Sequence, residues 1–250
     1  MKTSNKLITS AVFLTLLVLI TYDFLIQGVY DSGTYKIPYR EYTTLSYKDF
    51  DRVDLTSSTA VNAKFVQGPF SVRIDNNALE YARVRQDGNH LQVDASFEGN
   101  YLGNPNPYTL IISCPKLAAL NANATYQSNN RQVTDTIVRA DWKMRQVLID
   151  GFKQDSLHIE QDYGSTVVLA NNDIRSVDAV IGKSKGSGSN IITRAGNRFR
   201  DFSLAAGNLS NFILENADIH NLTYQLADSA KLVLNGNARH LINNSKNQPK

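Results

Sequence analysis

Cys114 is the only cysteine in the chain. That scarcity excludes an intrachain disulfide framework and any zinc site built from CxxC pairs. The thiol ends the apolar run YTLIISCP and reads as a small buried hydrophobe rather than a reactive group. Charge of one sign is not in excess: 26 basic and 23 acidic residues are scattered over 250 positions, so there is no basic domain of the kind that grips nucleic acid. Histidine is sparse, at positions 90, 158, 220 and 240, and forms neither an HExxH nor an H-x-H pair. No G-x-S-x-G elbow exists to seat a nucleophile. GKSKGSGSN begins like a phosphate loop at Gly182, but Val177 stands where G-x-x-x-x-G-K-[ST] needs its first glycine, and no helix follows. Metal, triad, nucleotide and cofactor chemistry are therefore not expected.

What is present begins with LITSAVFLTLLVLITYDFLIQGVY, residues 7–30, whose only formally charged residue is Asp23. At about 1.5 Å per residue this is long enough to cross a hydrocarbon core of about 30 Å as a helix. Its strictly apolar part is also near the length of a signal-peptide core. No A-x-A site follows it, and no cysteine stands at the junction for lipid attachment, so an uncleaved signal anchor is preferred to a cleaved signal peptide. Lys2 and Lys6 place residues 1–6 in the cytoplasm by the positive-inside rule, with the chain from about residue 31 exported. Residues 31–49, with four tyrosines and no clear apolar face, read as a juxtamembrane linker.

From Phe50 onward there is no convincing amphipathic helix. Short alternating runs such as VRIDNN, LQVDAS, YTLIIS, QVLIDG and LHIEQD recur between Asn, Asp, Gly and Ser, which is the pattern of an all-β domain. The second half adds a period. Leu157, Val177, Phe202 and Leu222 lead four similar units at intervals of 20, 25 and 20 residues, and Leu169, Leu214 and Leu234 end second strands at 45 and 20. Each unit is too small to bury its own apolar face and needs a stacked neighbour. An antiparallel sandwich also has short strands, but a parallel β-solenoid explains the register. The spacing predicts one such domain over residues 50–242, followed by a polar tail, 243–250.

In this register Asn172, Asn197 and Asn237 fall at one turn position, with Ala217 in the fourth slot. They predict a structural asparagine ladder, since Asn can share amide hydrogen bonds between coils and tolerates a left-handed backbone. The second unit is longer by five residues, placed between its strands at GKSKGSGSN. This reads as an insertion held off the coil by Gly186 and Gly188, with Lys183 and Lys185 exposed at its tip. Ile191, Ile192 and Thr193 compete for the inward positions beside it. Two residues before each leading apolar position stand Asp155, Arg175, Arg200 and His220, with His240 in the next coil. Stacked at about 4.8 Å, they predict a basic stripe near Lys183 and Lys185, with arginine forks suited to anionic oxygens. Asp150, Asp155, Glu160 and Asp162, with Arg139, Lys143 or Arg145, are the alternative for glycoside-cleaving chemistry.

Residues 50–96 resemble the opening of the head GIN domain, a family of auto-transporter adhesin-like envelope proteins common in Bacteroidota. The matching positions are Phe50 and Val53, Gln67 and Gly68, Val72 and Ile74, Asp87 and Gly88, and Leu91 and Val93. YTLIISCPKLAALNANA is similar to the family's next element, although LNANATYQ lacks the glycine-rich turn common there. The resemblance implies a right-handed parallel β-solenoid at the cell envelope. With the anchor, it gives the expectation of an inner-membrane-anchored, non-enzymatic binding module that contacts glycans or other surface polymers. The alternatives are an ectodomain for another envelope protein and, more remotely, a polysaccharide lyase or hydrolase.

Overall fold

An apolar run free of proline makes the start of the chain helical: α1 spans Thr3–Asp31. This computed structural model describes residues 3–33, 39–98, 108–137, 145–239 and 241, in two units, Met1–Tyr42 and Thr43–Lys250. In the first unit, α1 is long and apolar enough to cross a membrane by length and composition, and none of its residues is buried. The hydroxyls of Thr9, Thr15 and Thr21 donate to the carbonyls of Asn5, Ala11 and Leu17 at 2.8–2.9 Å, so these three hydroxyls are satisfied within the helix.

The second unit is mostly β. Its first strands are β1 (Tyr42–Leu45), β2 (Arg52–Leu55), β3 (Ala63–Gln67), β4 (Ser71–Asp75), β5 (Ala82–Asp87) and β6 (His90–Phe97). Then come β7 (Leu110–Cys114), β8 (Ala119–Ala122), β9 (Thr125–Ser128), β10 (Arg131–Thr134), β11 (Val147–Asp150), β12 (Lys153–Gln161) and β13 (Thr166–Ala170). The last six are β14 (Asp173–Ile181), β15 (Asn190–Thr193), β16 (Arg198–Ala206), β17 (Asn211–Glu215), β18 (Asp218–Leu226) and β19 (Lys231–Asn235). They form two sheets, ordered β1-β4-β7-β3-β11-β13-β15-β17-β19 and β10-β9-β6-β2-β8-β12-β14-β16-β18, with β5 paired to β6. Alternating side chains from both sheets meet in one core that includes Phe50, Phe65, Phe152, Phe199, Phe202 and Phe212.

From β11 onward the chain passes alternately from one sheet to the other, and from β13 onward each strand pairs in parallel with the previous strand of its sheet. Leu157, Val177, Phe202 and Leu222 are direct partners, as the 20, 25 and 20 spacing requires. In the other sheet Leu169, Thr193, Leu214 and Leu234 are in register. Ile191 and Thr193 therefore point inward, while Ile192 faces out between Val168 and Ile213.

The N-terminal half does not continue this simple progression. β2 lies between β6 and β8, and β3 between β7 and β11, so the chain enters in the middle of the stack. The β4–β7, β5–β6 and β9–β10 pairs are antiparallel. No period marks this half because its strands join by hairpins and insertions instead of equal coils. Thr43–Leu45 and Tyr47, which the sequence places in the linker, belong to the folded unit. Tyr47 packs on the core and donates its hydroxyl to the Val84 carbonyl at 2.7 Å.

The asparagine ladder is real over two rungs. Asn172 and Asn197 are buried, and Asn197 Oδ1 accepts from both the backbone N–H and Nδ2 of Asn172 at 3.0 Å. Ala217 interrupts the column, and Asn237 is exposed, with its backbone N–H donating to Asn216 Oδ1 at 3.1 Å. The left-handed residues are the preceding ones: Gly151, Asn171, Gly196, Asn216 and Gly236, with φ between 53° and 87°. Glycine and asparagine alternate there for a steric reason. A Cβ on Gly196 or Gly236 would lie 2.5 or 1.7 Å from the amide oxygen of Asn171 or Asn216 on the rung before.

The insertion is tucked in rather than held off. Four of its five extra residues lengthen the β14–β15 connection, and the fifth lies at the corner before β16. Ser187, Gly188 and Ser189 are buried, and Gly188 N–H donates to the Thr136 carbonyl at 2.8 Å. Ser184 donates its hydroxyl to Asp162 Oδ2, and its N–H reaches Oδ1 at 3.1 Å. Burial raises the Asp162 carboxyl, but these bonds, with others from Ser187 and Tyr163, outweigh it and hold the group below 3.8. The lysines are exposed as expected, and Lys183 binds Glu160 at 3.0 Å.

Candidate functional site

The nine-residue strands β12, β14, β16 and β18 share a local break in alternation. Ile174, Phe199 and Ile219 point inward, and the next inward residues, Val177, Phe202 and Leu222, come three positions later instead of two. The ladder skips the intervening Asp155, Arg175, Arg200 and His220, which have no direct bridge partner although they stay in register. One extra residue per rung bends each strand at the same point and turns two successive positions outward. Repeated on four rungs, the bend leaves an open groove of about 690 Å³.

Two columns of side chains line it. One is the predicted column, Asp155, Arg175, Arg200 and His220. The other lies two residues earlier and was not singled out in the sequence: Lys153, Asp173, Arg198 and Asp218, directly paired rung to rung. This second column alternates in sign and neutralises itself. Arg198 is 3.7 Å from Asp173 and 3.9 Å from Asp218, long contacts between exposed groups that add little stability. Its signal was available at the same 20, 25 and 20 spacing as its neighbour.

The predicted stripe needs two corrections. It is not uniformly basic, because the groove holds three carboxylates beside four cationic side chains. Nor does it run beside Lys183 and Lys185: these follow the far end of β14, eight and ten residues from Arg175, and do not line the groove. The strand from Arg175 to its end at Ile181 alone runs about 20 Å, at about 3.3 Å per residue. His240 lies outside the described residues. The positive surplus is concentrated at Arg175 and Arg200 on adjacent rungs. Arg175 makes no ion pair with a described residue, and Arg200 makes only a 3.8 Å contact with Asp201.

The carboxylates considered for cleavage chemistry do not converge. Asp150 is on the other sheet, bound to Lys64 at 3.1 Å; Asp155 is in the groove; Glu160 contacts Lys183 and His158; Asp162 holds the insertion. Hydrogen bonding from Lys183 chiefly, and from His158, keeps the Glu160 carboxyl below 4.5 despite partial burial. Of the basic partners, Arg145 donates to the Thr59 carbonyl at 3.1 Å, and positions 139 and 143 lie outside the described residues. Among the described residues no group of three or more His, Cys, Asp or Glu is placed to hold a metal ion. Burial pushes the Cys114 thiol up to about 12, which makes it inert at neutral pH.

No family model matches the chain, and no curated protein does. The fold does have a solved counterpart. A crystal structure named a putative adhesin, from Parabacteroides distasonis, superposes with a TM-score of 0.51 over 77% of this chain and 71% of its own, at 11% identity. A second putative adhesin, from Bacteroides fragilis, covers 79% and 98% with a TM-score of 0.36 and 13% identity. A protein named a putative lipid binding protein, from P. distasonis, covers 78% and 94% with 0.26 and 12%. At these identities the first likeness speaks to the fold alone.

Proposed function

We propose that this protein is a membrane-anchored binding module of the bacterial envelope, and that the groove over β12, β14, β16 and β18 is where it holds a surface polymer. In this reading α1 is an uncleaved signal anchor, and the second unit is an exported right-handed β-solenoid of the head GIN kind. The observation that carries the proposal is the pair of columns in one groove: eight polar side chains at rung spacing, with surplus positive charge at Arg175 and Arg200. An extended groove of repeated polar groups suits a repetitive polymer better than a compact metabolite. Arginine forks over a mixed-charge floor suit an anionic glycan. A binding role is favoured over cleavage because the candidate carboxylates do not converge: Asp150, Glu160 and Asp162 are engaged in separate local contacts, and Asp155 stands apart from them in the groove.

The test is retention of the detergent-solubilised full chain on immobilised anionic and neutral polysaccharides. Retention on an anionic matrix, abolished in the Arg175→Glu/Arg200→Glu variant and kept in Lys185→Glu, is the expected result. Retention that survives the double substitution, or none on any polysaccharide, overturns the assignment.

A further inference from the structure

We infer that the occupant of this groove is a sparsely charged glycan lying along the stack, across the strands, with one acidic sugar flanked by neutral hydroxylated ones. The inference rests on the groove being the binding site. The predicted column reads Asp155, Arg175, Arg200, His220 on successive rungs of β12, β14, β16 and β18. Its cationic part is therefore two rungs long, with a carboxylate on one side and an imidazole on the other. The parallel column, Lys153, Asp173, Arg198 and Asp218, carries no surplus charge of its own. An anionic group has one favourable seat, between Arg175 and Arg200.

Spacing sets the direction of the chain. Rungs advance by about 4.8 Å, and a pyranose in an extended chain advances by about 5 Å, so a glycan running across the strands places roughly one sugar per rung. Seated midway between Arg175 and Arg200, the acidic sugar has its neighbours about 5 Å to either side, one between the Asp155 and Arg175 rungs within reach of Asp155 and one between the Arg200 and His220 rungs within reach of Asp218. Carboxylates accept hydrogen bonds from sugar hydroxyls, and they repel a second acidic group. A polymer charged at every residue would set a carboxylate against Asp155 or Asp218. One in which acidic and neutral sugars alternate, with a charge about every 10 Å, meets a hydroxyl acceptor on each side instead.

The experiment compares three oligosaccharides of matched length on the full chain in detergent, by calorimetry or fluorescence polarisation. They are a hyaluronan oligomer, with a uronate at every second sugar, a polygalacturonate oligomer, with one at every sugar, and a neutral dextran oligomer. The hyaluronan oligomer is expected to bind most tightly, to weaken with added salt, and to lose roughly tenfold or more in Arg175→Glu/Arg200→Glu, the scale of losing charge-assisted hydrogen bonds. Lys185→Glu, outside the groove, should match the parent. Tighter binding of polygalacturonate that still depends on the two arginines overturns the alternating class and leaves the groove assignment standing. Binding that ignores the arginines, or no binding of any probe, overturns the groove itself.

Discussion

Asn197→Leu is the most direct trial of how the stack is held together. Asn197 is 2% exposed. Its Nδ2 donates to the carbonyls of Leu169 and Arg194 at 2.7 Å each, and its Oδ1 accepts two bonds from Asn172 at 3.0 Å. Leucine keeps the same branched side-chain skeleton, although its methyl groups are bulkier than the amide, and removes all four. Some partners recover: the Leu169 carbonyl keeps the Arg194 N–H at 2.9 Å, and Asn172 Nδ2 keeps the Ile149 carbonyl at 3.0 Å. Arg194 is exposed, so its carbonyl can turn to water. The Asn172 backbone N–H has no such recourse and is left buried without an acceptor. One orphaned donor costs about 1–3 kcal/mol and each net bond lost about 1 kcal/mol, so a loss of about 2–4 kcal/mol is expected. Asn237→Ala, at the exposed end of the same predicted ladder, should cost about 0.5 kcal/mol or less. Urea unfolding of the full chain in detergent, with midpoints compared at equal slope, reads both. A shift for Asn197→Leu no larger than that for Asn237→Ala would refute the view that the buried amide pair ties the rungs together.

Gly236→Ala combines left-handed strain with a Cβ set 1.7 Å from Asn216 Oδ1, and should lower stability by about 1–2 kcal/mol; adding Asn216→Gly should recover part of the loss, because it relieves the clash and not the strain. Glu160 is held below 4.5 by Lys183 first and His158 next. A lowered carboxyl favours the folded state above its unfolded value, and that contribution is lost as pH falls through the folded value. Stability should therefore fall less steeply below about pH 4.5 in Glu160→Gln, and Lys183→Met should move the Glu160 titration upward by NMR. Asp155→Asn removes the carboxylate beside the anion seat and should narrow the preference for the hyaluronan oligomer over polygalacturonate; an unchanged ratio would remove Asp155 from the specificity argument. The full chain should stay with membranes after alkaline carbonate extraction, and deletion of residues 3–31 should release it; N-terminal sequencing that begins near residue 30 would show a cleaved leader instead.

The amino-acid sequence by itself determined the apolar helix, the β class and the register of the last four rungs. Each follows from side-chain periodicity along the chain, which needs no knowledge of distant contacts. It also marked the Arg175 and Arg200 column, because residues at equal offsets in a repeat must stack. The tertiary structure alone decided the rest. β2 and β3 sit in mid-stack because hairpins and non-local pairing reorder the N-terminal strands, and pairing between distant segments leaves no local period. The left-handed corners fall one residue before the expected asparagines, since one residue turns the backbone while the next turns its amide inward. The insertion folds back onto Asp162 and Thr136 through contacts between residues far apart in the chain. The Lys153, Asp173, Arg198 and Asp218 column joined its neighbour in one groove only because every long strand bends at the same place, and that bend comes from an extra residue that the packing of inward side chains defines.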